Sequence, residues 1–203
     1  NTDRADLQRL KAEGVGGLGG ATPHPSVRWV NLRGPSSNAL DVRELTRLEI
    51  AHRRAIWERV QAIRRKSGSE ALFLLDTAPQ LGVRISRILI GEQTLTRAEA
   101  MQSRRFPNTI GVGGADVGGK GPEWPIPYGA LIPKKLDGLL AAGRCISVDE
   151  KLIEGMRLIA ACLVTGHAAG AAAALAVKDR CEPRHVDIPK LQALLREQGA
   201  YLG

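Results

Sequence analysis

The sequence predicts a mixed α/β (α+β) fold, on three observations. Residues 43–66 repeat apolar side chains at helical spacing, and residues 157–178 form an Ala-rich apolar run of helical length. Between them lie short β-branched segments punctuated by Gly and Pro. Toward the amino end, residues 3–11 allow a short polar helix anchored by Leu7 and Leu10, and residues 14–20 are a glycine-rich break. Pro23, Pro25 and Pro35 surround an expected strand at residues 27–32. Within residues 43–66, Leu45, Leu48, Ala55, Ile56, Val60 and Ile63 recur at helical spacing; Asp41 is placed to cap the helix and Ser67-Gly68-Ser69 to end it. Residues 71–75 and 83–90 read as strands. Thr96-Arg97-Ala98-Glu99 has the capping-box pattern and predicts a short helix. Residues 110–121 read as a glycine-rich loop, 125–133 as an extended segment and 138–142 as a short buried strand. Asp187, Pro189 and Gly199 mark the start and stop of a last helix with Leu191, Leu194 and Leu195 on one face.

The chain has 203 residues, 43% hydrophobic and 25% charged, which is a soluble globular composition with room for one core or two small ones. A net charge of +8 and a pI near 9.9 admit nucleic acid, an acidic partner subunit or a multiply anionic cofactor. Much of the excess lies in residues 43–66, interleaved with Glu44, Glu49 and Glu58, the pattern of a solvated helix face. Aromatics are only 3% of residues, too few for base-stacking platforms, so no nucleic-acid partner is expected. Cys145, Cys162 and Cys181 are widely spaced, with no CxxC and no zinc-like Cys/His spacing. No metal site is expected, and reduced thiols in the cytoplasm are the default. The longest apolar run, residues 158–177, is rich in Ala and Gly and broken by Thr165 and His167. It suits a helix packed within protein, and no membrane span is expected. Residues 1–13 lack the apolar segment of a signal peptide. Because the first residue is Asn1, removal of upstream residues or processing of a longer precursor is the expectation.

Two glycine motifs compete for a ligand. Gly14-Val15-Gly16-Gly17-Leu18-Gly19 matches GxGxxG letter for letter. That motif works when a strand precedes it and a helix follows, so that amides and a helix dipole face a pyrophosphate. Neither Leu10-Lys11-Ala12-Glu13 before it nor Ala21-Thr22-Pro23-His24-Pro25 after it supplies that context, and a loop is the better reading. The second motif, residues 138–145, runs from a short apolar strand into Gly143, then through a turn into a helix of small residues. Gly143 permits close approach of a ligand to backbone, and the helix start suits an anionic or electron-rich group. Spacing alone leaves this reading even with a plain strand–loop–helix crossover.

The second motif does not stand alone. Leu140-Ala141-Ala142-Gly143-Arg144-Cys145-Ile146-Ser147, Glu154-Gly155-Met156-Arg157 and Ala161-Cys162-Leu163-Val164-Thr165-Gly166-His167-Ala168-Ala169-Gly170 follow one another in order. Together they resemble the carboxyl-terminal signature of FAD-dependent oxidoreductases of the glutathione-reductase-like superfamily, most closely a bacterial subgroup. Residues 82–92, with Gly82, Arg84, Ser86, Arg87 and Gly91-Glu92, resemble that family's GxRxSRxIxGE strand, and residues 126–133 its IPYRxLxP strand.

The resemblance implies the carboxyl-terminal part of an FAD-binding doubly wound fold plus a substrate-side sheet. Its expected divisions are an extended segment over residues 1–42, a helix with substrate-side strands over 43–133, and part of the FAD-binding domain over 134–203. Gly143, Arg144, Cys145, Ile146 and Ser147 would lie along the cofactor, and Gly155, Met156, Arg157 and Leu158 would approach the flavin ring. For Arg157 the competing reading is an exposed first-turn residue, but a cation at a helix start is opposed by the dipole, which favours a ligand role. Arg84 or Arg87 would hold an anionic substrate group or form ion pairs, and Tyr128 would face the flavin or simply pack. His167, where the subgroup often has Gln, is a packed core residue or a group for proton transfer. Arg144 stands where many of the superfamily carry an acidic residue.

Residues 1–203 hold no strand–GxGxxG–helix unit for the ADP portion. The expectation is therefore a component of a split, hetero-oligomeric FAD oxidoreductase acting on a small molecule, with a second polypeptide carrying the dinucleotide-binding half. The alternative is a structural subunit that has lost the cofactor.

Overall fold

A helix must find acceptors for its first free amides, and the chain supplies them where the sequence places its caps. The computed structural model describes residues 22–30, 38–66, 68–113 and 121–203, and divides into two units, Asn1–Ser86 and Arg87–Gly203. The expected helix at residues 3–11 and the GxGxxG segment lie outside the described residues; the expected strand at 27–32 does so in part.

In the first unit, helix α1 spans Val42–Arg64, and the Asp41 carboxylate accepts from the Arg43 and Glu44 amides. Leu48 and Ile63 are buried on the face that the spacing picks out. Arg47 pairs with Glu44 and Arg53 with Glu49, exposed pairs that solvent screens. Arg53 also donates to Thr77 and to the carbonyls of Ala78 and Pro79, tying residues 77–79 to the helix. Residues 71–75 form no strand, and Phe73 and Leu75 are exposed.

In the second unit, helix α2, Arg97–Met101, carries both halves of the capping box between Thr96 and Glu99. Strands β1, Thr109–Gly113, and β2, Trp124–Pro127, pair antiparallel with an irregularity between Thr109 and Gly111. A short helix α3, Ile153–Met156, leads into the long α4, Ile159–Asp179; α5, Ile188–Glu197, closes the unit. Asp187 caps α5 by accepting from the Lys190 amide, and Gly199 follows it at φ 83°, as its stop requires.

The core lies where α4 and α5 pack on β1. Ile110, Ile126, Ala168, Ala172, Leu191 and Leu195 are buried there. By length and composition alone α4 is apolar enough to cross a membrane. Its inner face of Ala161, Thr165, Ala168, Ala172 and Leu175 is buried within the unit, as in a core helix.

Three expected strands do not form. Residues 71–75, 83–90 and 138–142 carry no ladder; in the second unit the Leu89 amide bonds the Cys145 carbonyl at 2.8 Å and the Ala141 amide the Leu131 carbonyl at 2.8 Å. Single crosslinks of this kind hold extended chain in place without making a sheet. Conversely, β1 runs into what reads as a glycine-rich loop at residues 110–121. The reason is Gly111: a Cβ there would fall 2.3 Å from Val164 Cγ1, so only a missing side chain lets α4 approach this strand. Overpacking such a contact costs about 1–3 kcal/mol. Gly111→Ala is therefore expected to lower unfolding free energy by about that amount in denaturant titration, and adding Val164→Ala is expected to recover part of it.

Candidate functional site

Three segments of the second unit converge on one surface. The first is a 3-10 turn, Gly143–Cys145, with Gly143 at φ 75°, a left-handed conformation that glycine adopts without strain. The Ser147 amide bonds the Ala130 carbonyl at 2.9 Å and the Leu95 amide bonds the Ser147 carbonyl at 3.1 Å, which fixes the chain leaving the turn. The second segment is α3 and the third is the start of α4; both pack against the turn. Cys162 lies at the junction: a Cβ on Gly143 would sit 3.5 Å from its Sγ.

The side chains divide into two groups. Ile146, Ser147 and Met156 are buried, and Ser147 Oγ lies 2.8 Å from Thr94 Oγ1. Such residues offer a ligand their backbone at most. Arg144 and Cys145 are exposed, while Gly143, Gly155, Arg157 and Leu158 are half-buried. Arg157 pairs with Glu154, yet its Nε is buried without a hydrogen-bond partner among the described residues. Helix α4 begins at Leu158 with no side-chain cap. The surface thus combines an orphaned guanidinium N–H, an uncapped positive helix end and a glycine turn, a donor-rich set suited to an electron-rich or anionic group.

Thr165 is a further member that the motifs do not flag. It is 0% exposed, accepts from the Gly143 amide at 2.9 Å and donates to the Ala161 carbonyl at 2.9 Å. Its only signal in the sequence is a lone hydroxyl inside an otherwise apolar run.

The remaining candidates lie elsewhere. Arg84 is half-buried in the first unit. Arg87 is exposed and stands two residues before Leu89, whose amide bonds the turn at Cys145. His167 is hydrogen-bonded, as a core histidine would be, but it is exposed: its ring lies 2.6 Å from Gln198 Oε1, beside a groove of about 390 Å³ lined by Ile110, Val112, Val164 and Tyr201. Thr165, Ala168 and Ala172 take the inward face, so helical geometry turns residue 167 outward. Tyr128 is buried and its hydroxyl donates to the Pro183 carbonyl at 2.8 Å, the geometry of a packing tyrosine.

Compared with known proteins, the chain matches the family model described as "FAD dependent oxidoreductase" over residues 17–195. No curated protein and no solved structure matches it.

Burial, with the nearby Cys181 and Glu92 adding to it, holds the Tyr128 phenol above its usual range. The fold keeps this proton where the unfolded chain releases it near pH 10, so the associated stability is present below about pH 10 and lost as pH rises toward the folded value. Melting temperature measured from pH 7 to 11.5 is expected to fall above about pH 10. Tyr128→Phe is expected to cost about 1 kcal/mol at neutral pH and to show a shallower alkaline decline.

Proposed function

The chain belongs to the FAD-dependent oxidoreductase family, and we propose that it supplies the ring and ribityl end of that family's FAD site, with part of a small-molecule substrate pocket. The observation that carries this reading is the convergence of the Gly143 turn, the Arg157 Nε and the uncapped start of α4. These residues fit the cofactor: a buried N–H lacking an acceptor and a positive helix end suit the electron-rich edge of a flavin. When bound, FAD supplies two-electron redox chemistry, and the protein supplies orientation and electrostatics. Gly143, Arg144 and Cys145 would line the cofactor, with Ile146 and Ser147 holding that backbone from behind. Gly155, Met156, Arg157 and Leu158 would form the helix mouth, where amides and the guanidinium favour negative charge. Arg84 and Arg87 are candidates for holding an anionic substrate group.

The dinucleotide-binding half belongs, in this proposal, to polypeptide outside these residues, as a second chain in a hetero-oligomeric enzyme. The outer flank of α4 supports it: Ile159 is 80% exposed, Leu163 67% and Val177 81%. A Cβ on Gly166 or Gly170 would meet open space there. Continuous apolar surface of this kind marks a seat for another element. The proposal extends to a glutathione-reductase-like, doubly wound architecture of bacterial type and the division at residues 1–42, 43–133 and 134–203, and, on the widely spaced cysteines, to a cytoplasmic location. The second reading, a structural subunit that has lost the cofactor, is favoured by one feature: Arg144 occupies a position where an acceptor for a ribityl hydroxyl would be expected.

The test is the visible spectrum and mass of the natively purified protein. Stoichiometric FAD together with a co-purifying dinucleotide-binding chain is expected. Gly143→Leu is expected to abolish flavin retention while the partner still co-purifies. A flavin-free native complex would support the structural-subunit reading, and stoichiometric FAD on the isolated 203-residue chain would overturn the split arrangement.

A further inference from the structure

Every backbone carbonyl inside a regular helix is already taken by an amide four residues on, so a helix interior has little to offer a neighbouring loop. Thr165 changes that for α4. Its hydroxyl proton is spent on the Ala161 carbonyl at 2.9 Å, which leaves the oxygen free to accept, and the Gly143 amide takes it at 2.9 Å. The side chain is 0% exposed, so water is not a substitute. Further bonds at this turn and its exit run to Leu89, Leu95 and Ala130.

The consequence is geometric. Gly143 sits at φ 75°, a conformation its neighbours do not impose, and a Cβ there would make only an ordinary contact with Cys162 Sγ. Beside the packing of the turn on α4, the hydrogen bond is the directional contact that sets their distance. Because the turn and the start of α4 together form one donor surface, their relative position sets where an electron-rich ring can lie against it.

Resting on the FAD reading above, we propose that Thr165 is a positioning residue: it locks the Gly143 turn to α4 and so sets the position of the flavin ring relative to the α4 amino end and Arg157. Valine keeps the shape and removes the acceptor; serine keeps the acceptor.

The experiment uses the natively purified, FAD-loaded protein and its Thr165→Val and Thr165→Ser variants. Three quantities are read: the dissociation constant for FAD after its removal and re-addition, the visible band of the bound flavin, and the melting temperature of the FAD-free form. Thr165→Val is expected to weaken FAD binding about tenfold or more and to shift the flavin band. Thr165→Ser is expected to restore both. A Thr165→Val protein with unaltered FAD affinity and band overturns the proposal, as does one whose melting temperature falls while the flavin band stays put. If Thr165→Val does not fold, Thr165→Ala is read in the same way, and an unshifted band there overturns it equally. A wild-type protein that takes up no FAD contradicts the FAD reading itself, and this proposal with it.

Discussion

The second unit depends on how closely helix α4 is allowed to approach its neighbours. On one side the missing side chain of Gly111 admits Val164 to van der Waals contact with β1, and on another the Thr165 hydroxyl draws in the Gly143 turn. Between these two contacts, Ala161, Ala168 and Ala172 present a surface small enough for backbone to pack on it. Side chains larger than alanine along this face would push β1, α5 and the turn outward together. The composition of α4 is therefore a statement about distance, and the donor surface at its amino end is a product of that distance.

Local capping was the most legible part of the fold. Asp41, the Thr96–Glu99 pair and Asp187 each bond an amide two or three residues away, so the information sits in adjacent letters. Strands were less legible, because a strand exists only when a distant segment supplies a ladder. Residues 83–90 and 138–142 have the right composition, yet they find isolated hydrogen bonds. Residues 110–113 read as loop because of their glycines, although Gly111 is what makes the strand compatible with the helix above it.

The site was legible as a set of letters and illegible as a surface. The turn at Gly143 was visible from its glycine, and Arg157 is half-buried and paired with Glu154, not the exposed first-turn residue of the competing reading. Which residues of 143–158 face outward was not readable, because the buried Ile146, Ser147, Val148 and Met156 follow no regular period through irregular backbone. His167 shows the same limit. In a run that is small or apolar all round, no periodicity distinguishes the inner face from the outer one, so the histidine's exposure follows from packing alone.

The central claim is that Gly143–Cys145 and the start of α4 form one wall of the FAD site. Amide hydrogen exchange of the native protein, with and without FAD, addresses it directly. The account predicts slowed exchange on FAD binding across residues 143–145 and 157–161, with Ile188–Glu197 unchanged. FAD binding that leaves residues 143–161 exchanging at their FAD-free rates would contradict it.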